Sequence, residues 1–272
     1  MKKLLSLFVF STLFLTSCAP SDSSPVTENT MLLKQVTIAV EGDGSQTFNF
    51  TYNGMKIVKV QGEGLQPELK RYFYTGNLIT KIQHSNFGGP VVEEETFAYN
   101  ASGQLITYFC KEPTENWAER SDFVYNADNT ITRTTYDGSL ASQTELESTY
   151  VLHLSNGEIT EVDVNPGSTN ITFTYAYDTK NNPFRNVIGY DKIYFALKTD
   201  ELRDENVYAS GMSHNFLSIR QMDSMGEITR TKTVANTYNS FNFPSTSINT
   251  IQWDIMTPPN NSSTVTTQFI YY

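Results

Sequence analysis

Few residues in this sequence have the types and spacing that chemistry requires. Histidine occurs at His84, His153 and His214. No pair has the His-x-His or His-Glu-x-x-His spacing that aims two imidazoles at one metal. Glu93-Glu94-Glu95 is the densest carboxylate run. On a strand, neighbouring side chains point to opposite faces, so the run reads as a solvated strand start. Glu41-Gly42-Asp43-Gly44 offers oxygen ligands without the continuation of a calcium loop, and reads as a turn. No Gly-x-Ser-x-Gly elbow and no phosphate-cradling glycine loop occurs. The expectation is no catalytic residue, no resident metal and no cofactor. Trp117 and Trp253 are the only tryptophans. Their rings suit stacking on a sugar, or packing in a core, which is the first expectation. Tyr190 and Tyr194 complete the candidate ligand contacts.

The two cysteines differ in setting. Cys18 follows a basic start, Lys2-Lys3, and a twelve-residue apolar run, Leu4 to Leu15. That run is too short to span a bilayer, which takes about 20 residues, and suits a signal-peptide core. Leu15-Thr16-Ser17-Cys18 resembles the lipobox of bacterial lipoproteins, which implies cleavage after residue 17 and lipid on Cys18. Acyl chains then anchor the protein at about 0.8 kcal/mol per buried CH₂. Residues 18–30, rich in Ser, Pro and Thr, read as a flexible tether, and 31–272 as one domain. The expected address is the outer membrane, on the periplasmic or the exposed side. Asp22 alone does not select between them. Cys110 is left without a partner, in the apolar run Leu105 to Cys110, and reads as a buried, inert thiol. The chain of 272 residues carries a net charge of −10, which argues against nucleic acid as a partner.

One short phrase recurs about every 25 residues, a period that suits two strands and two turns. Copies include Phe50-Thr51-Tyr52-Asn53-Gly54, Tyr72-Phe73-Tyr74-Thr75-Gly76-Asn77, Phe97-Ala98-Tyr99-Asn100-Ala101-Ser102-Gly103, Phe123-Val124-Tyr125-Asn126 and Tyr175-Ala176-Tyr177-Asp178. Alternating aromatics build one face of a strand. Asn, Asp and Gly make the turn, and an apolar residue opens the return strand. A second set of turns lies between the tips, as in Glu112-Pro113 and Asn165-Pro166-Gly167. The pattern predicts an all-β, antiparallel up-and-down meander of about 16 strands built from repeated hairpins. Between 185 and 215 the rhythm breaks for an inserted loop or helix. Tyr190 to Leu197 reads there as a short helix capped by Asp191, or as a long strand with an acidic loop from Asp200 to Asn206.

Tyr99-Asn100-Ala101-Ser102-Gly103-Gln104-Leu105 resembles the YD repeats of RHS-type proteins. With the lipobox, the tether and Asn181-Asn182-Pro183-Phe184, the chain is similar to repeat lipoproteins of Bacteroidota. That resemblance implies a porin-like β fold and transfers no catalytic residue. Open twisted sheets rarely pass about ten strands, so the sheet should close into a barrel or curve strongly, a sandwich being the other solution. A barrel of this size has a lumen that must be filled or wetted. Alternations such as Lys56-Ile57-Val58-Lys59-Val60 put polar residues opposite apolar ones, which suits a sheet wet on one side and is also allowed by a membrane barrel with a polar lumen; the lipobox, as another anchor, favours the first. The expected role is a non-catalytic binding, scaffolding or adhesion module of the envelope, partnered by the membrane through Cys18 and by a glycan or an envelope protein. Glycan capture for nutrient uptake and a hydrolase with converging residues are the alternatives.

Overall fold

The computed structural model describes residues 27–272 apart from 41, 43, 65–66, 87–88, 169, 197–210 and 255–261. The first eight strands are β1 (Leu33–Val40), β2 (Gly44–Asn53), β3 (Lys56–Gly64), β4 (Glu68–Thr75), β5 (Leu78–Asn86), β6 (Val91–Tyr99), β7 (Leu105–Glu112) and β8 (Trp117–Tyr125). The second eight are β9 (Thr130–Ser139), β10 (Ser142–Ser155), β11 (Glu158–Val164), β12 (Ile171–Tyr177), β13 (Phe216–Met222), β14 (Ile228–Tyr238), β15 (Pro244–Trp253) and β16 (Ser262–Tyr271). Each pairs antiparallel with its sequence neighbours, and β1 pairs with β16, so the meander closes into a barrel. Closure selects the barrel over the curved sheet and the sandwich.

Paired residues share a face, so the register sorts the wall. Tyr108, Ser121, Thr135 and Ser148 are successive partners on β7 to β10 and face inward. The inward rows carry the apolar side chains, among them Val36, Phe50, Ile79, Leu105, Leu152 and Phe173, all buried. The outward rows carry Thr, Gln and charged residues. Lys81, Glu94 and Lys111 stand side by side there, with Lys111 Nζ 2.9 Å from Glu94 Oε1.

The recurring phrase has a structural cause. A register shift of the β-bulge kind lies near this set of tips and the insertion at Tyr52, Tyr74, Tyr99, Leu154, Tyr177 and Tyr238. In the first four the return strand gives its first inward residue to that partner, as Ile57 does to Tyr52 and Leu105 to Tyr99, and the next residue is extra. Bulges add local twist and bend the strand, which helps a sheet to close. Two of the bulge tyrosines also bind the neighbouring hairpin. Tyr99 donates to Ile79 O at 2.6 Å, and Tyr177 to Ile159 O at 2.5 Å.

These tips define one end of the barrel, and the insertion after β12 plugs it. Asn181, Asn182, Pro183 and Phe184 are all buried. Asn182 accepts from Phe184 N and donates to Gly211 O. Asn181 donates to Glu28 Oε1 and Phe241 O. Phe184 stacks on Tyr190 with ring centroids 4.3 Å apart and meets Phe50 at 5.8 Å. The helical piece is short: α1 (Tyr190–Ile193) and then a 3₁₀ turn, Tyr194–Ala196. Its N-cap is Gly189, not Asp191. Gly189 has φ 80°, and a Cβ there would meet Asn77 O at 2.6 Å, so only glycine fits. Glu158 fastens the return of the chain, accepting from Met212 N, Ser213 N and His214 N at 2.7 to 2.9 Å. The acidic run 200–206 and the turn 258–261 lie outside the described residues.

The plug should be integral to folding. Phe184→Ala removes a buried ring from between Phe50 and Tyr190 and should lower unfolding stability by about 3–5 kcal/mol. Denaturant melts monitored by circular dichroism would show it. An unchanged midpoint would mean that the plug is a dispensable lid.

Candidate functional site

The half of the lumen away from the plug is where ionisable and aromatic groups converge. Trp117 opens β8 and Trp253 closes β15, both at the end opposite the plug. Trp253 pairs with Arg230, whose guanidinium carbon lies 5.5 Å from the indole centroid, while Trp117 pairs with Glu112. Both tryptophans are half-buried and belong to the inward rows. They stand seven strands apart in a ring of sixteen, on facing walls. The fold thus brings the two sequence candidates to one mouth. It takes Tyr190 and Tyr194 elsewhere, into the plug, where both pack on the apolar core. Burial pushes the Tyr194 hydroxyl well above its ordinary range.

Below this mouth, Arg133 is among the largest fully buried side chains. Its Nε donates to Ser121 Oγ at 3.1 Å, its guanidinium faces Glu119 at 3.6 Å, and its plane lies over the rings of Phe123 and Tyr150. A buried charge persists only when paired and hydrogen-bonded, and this one has both. On the opposite wall the lumen carries Ser247, Asn249 and Thr267, each almost fully buried. Ser247 Oγ, Asn249 Oδ1 and Thr267 Oγ1 have no hydrogen-bond partner among the described residues. The lumen wall is therefore polar at these positions, with the tryptophans at the rim away from the plug.

The third feature is invisible in sequence spacing. His84 on β5 pairs with Glu93 on β6, and Glu95 lies two residues further along the same face. His84 Nε2 is 2.5 Å from Glu95 Oε1 and 3.3 Å from Glu93 Oε1. Glu94 points outward to Lys111 and Gln83, whose hydrogen bonds hold its carboxyl below the usual range. The run therefore lies inside a strand, split between two faces, and does not begin one. A second trio, His153, Glu161 and Asp163, lies on the outer wall. Burial raises the Glu93 carboxyl above its ordinary 4.5; His84 opposes the shift and Glu95 adds to it. The free thiol of Cys110 is buried beside them, and burial pushes it up too, away from nucleophilic reactivity.

The molecule is thus a closed, plugged barrel with a partly polar lumen and charged residues on its outer wall. Two solved structures share the fold. A porin-like protein from Bacteroides uniformis is 12% identical, with a TM-score of 0.57 over 91% of this chain and 99% of that one. A porin-like protein from Bacteroides vulgatus is 16% identical, with a TM-score of 0.55 over 89% of this chain and 99% of that one. At these identities the likeness is one of fold. No protein-family model and no curated protein matches the sequence.

The raised Glu93 pKa has a pH signature. A carboxyl raised by folding contributes its stability below its unfolded pKa and loses it as the pH rises through the folded value. Glu93→Gln has no such loss. Its stability relative to wild type should therefore grow between acid below pH 4.5 and neutrality. Paired unfolding curves across that range check the sign, and a difference that shrinks towards neutrality would contradict the buried-carboxyl account.

Proposed function

We propose that this chain is a non-catalytic envelope lipoprotein. A lipid on Cys18 holds the barrel beside a membrane, and the lumen mouth opposite the plug binds a ligand. The observation that carries the reading is the outer wall. Lys59, Arg71, Lys81, Glu94, Lys111, Arg120, Asp122, Glu161, Asp163 and Arg220 all belong to outward rows. A bilayer-spanning barrel needs an apolar outer band about 25 Å tall, and a charge at its midplane costs roughly 2–4 kcal/mol. Among the described residues no helix is long and apolar enough to cross a membrane either. A barrel with this wall needs a separate anchor, and the lipobox, outside the described residues, supplies one.

The attachment point orients the molecule. Thr27 to Thr30, the described part of the expected tether, form a 3₁₀ turn against the plug, where Asn186 donates to Glu28 O at 2.7 Å. The nine peptide steps from Cys18 to Thr27 span at most about 32 Å. The plug end then faces the membrane, and the mouth with Trp117 and Trp253 faces away from it.

The paired tryptophans favour a glycan as the ligand. Aromatic rings over a polar floor match the apolar faces and hydroxyl edges of a sugar. Three outcomes are expected. Cys18→Ala should release the protein from membranes and leave it monodisperse without detergent. A requirement for detergent would show that the wall itself enters lipid. On a glycan array, Trp253→Ala should weaken binding about tenfold, the equivalent of about 1.4 kcal/mol. Unchanged binding would remove that indole from the site.

A further inference from the structure

We propose that His84, Glu93 and Glu95 form a binding site for a divalent transition-metal cation on the luminal face of β5 and β6. One imidazole and two carboxylates present ligand atoms that all lie within 4.8 Å of one another. The set arises from the sheet itself. Glu93 and Glu95 alternate onto the inner face, and His84 is the cross-strand partner of Glu93. Three protein ligands of this kind leave coordination positions open, the arrangement that zinc and other borderline cations accept.

Charge supplies an argument separate from geometry. The groups that act on Glu93 are His84, Glu95, Lys70 and Glu112. Lys70 also lies 3.8 Å from Glu68, so its charge is shared. With His84 neutral, as a ligand must be, Glu93, Glu95 and Glu112 stand against one lysine. Two negative charges remain, which a divalent cation neutralises. Cys110, the cross-strand partner of Glu95, adds a sulfur next to the set. A bare His84–Glu95 ion pair would neutralise one carboxylate only.

The outer trio provides the internal contrast. His153, Glu161 and Asp163 have the same ligand types, but their side chains are 39%, 43% and 30% exposed. Those of His84, Glu93 and Glu95 are 16%, 31% and 17% exposed, so the luminal set is the less exposed one through its histidine and Glu95. Partial desolvation strengthens the attraction between ligand set and cation, and exposure screens it. The luminal trio is therefore the tighter site.

The test is titration of the full chain with Zn²⁺ alone, followed by calorimetry, at neutral pH in a buffer that does not chelate. One tight equivalent is expected, retained by Asp163→Asn and weakened at least tenfold by His84→Ala and by Glu93→Gln. Glu93→Gln is the variant to rely on if His84→Ala folds poorly, because the amide is isosteric and removes only a partly buried charge. Tight binding that survives Glu93→Gln, or that disappears in Asp163→Asn, would overturn the proposal, as would no tight binding at all. Absence of glycan binding would leave this proposal standing, since it does not depend on the tryptophans.

Discussion

The pairing of Leu33–Val40 with Ser262–Tyr271 determines what the other residues must do. It converts a meander with two exposed edges into a ring without a free edge strand. It also sets the circumference. A ring of sixteen strands encloses more space than its own inward side chains fill if the barrel is round. The chain answers with bulk. Tyrosines and phenylalanines occupy the inward rows near the tips, and the insertion after β12 adds Phe184, Val187, Tyr190 and Ile193 to the same apolar clusters. The plug is thus the missing volume of the plugged half as well as a cover on it.

The far half follows another rule. Its inward rows hold Glu119, Arg230 and Lys232, and the Arg133 guanidinium reaches towards Glu119, all of them buried. Replacing buried ion pairs by hydrocarbon is often neutral or stabilising, so a network such as Arg133 with Glu119 and Ser121 is weak evidence for stability as such. A sequence able to place Leu, Ile and Phe inward on the plugged half had the same option here. Functional sites are where such departures from the local rule concentrate.

The parts of the fold that were legible in the sequence are those set by local periodicity. Alternating aromatics, the Asn and Gly tips and the second set of turns gave the strand number, and the long interval after Tyr177 gave the insertion. The residues of the site were legible only one at a time. Trp117 and Trp253 are 136 positions apart in sequence, and only closure of the ring sets them on facing walls. His84 meets Glu93 and Glu95 because a hairpin folds them together. A search for imidazoles at fixed spacing cannot see a ligand set split across two strands. The turn Asn86-x-x-Gly89-Pro90 between them was the available signal, since it predicts which residues face each other. The cap of α1 was misread for a related reason. Asp191 has the side chain of an N-cap, but the turn needs φ > 0 beside the backbone of Asn77, which only Gly189 tolerates.

A closed sheet has no preferred solvent on either side; side-chain polarity decides. The same sixteen-strand ring would suit a bilayer if its outward rows were apolar. Here charged residues such as Lys81, Glu94 and Arg120 share those rows with exposed Phe73, Val124, Ile248 and Ile270, while Val36, Ile79 and Phe173 are buried on the inner face, and burial of that inner apolar set favours closure. The bulges at the tyrosines make the inversion workable. At two of them a hydroxyl reaches a neighbouring carbonyl, Tyr99 to Ile79 and Tyr177 to Ile159, so the ring is tied where it meets the plug. That rim is also where residues 27–30 dock and where the chain ends, with Tyr272 N bonded to Leu32 O at 3.0 Å. Termini, plug and bulges thus consolidate one end. The other end holds both tryptophans, with Glu112 and Arg230 as their cross-strand partners.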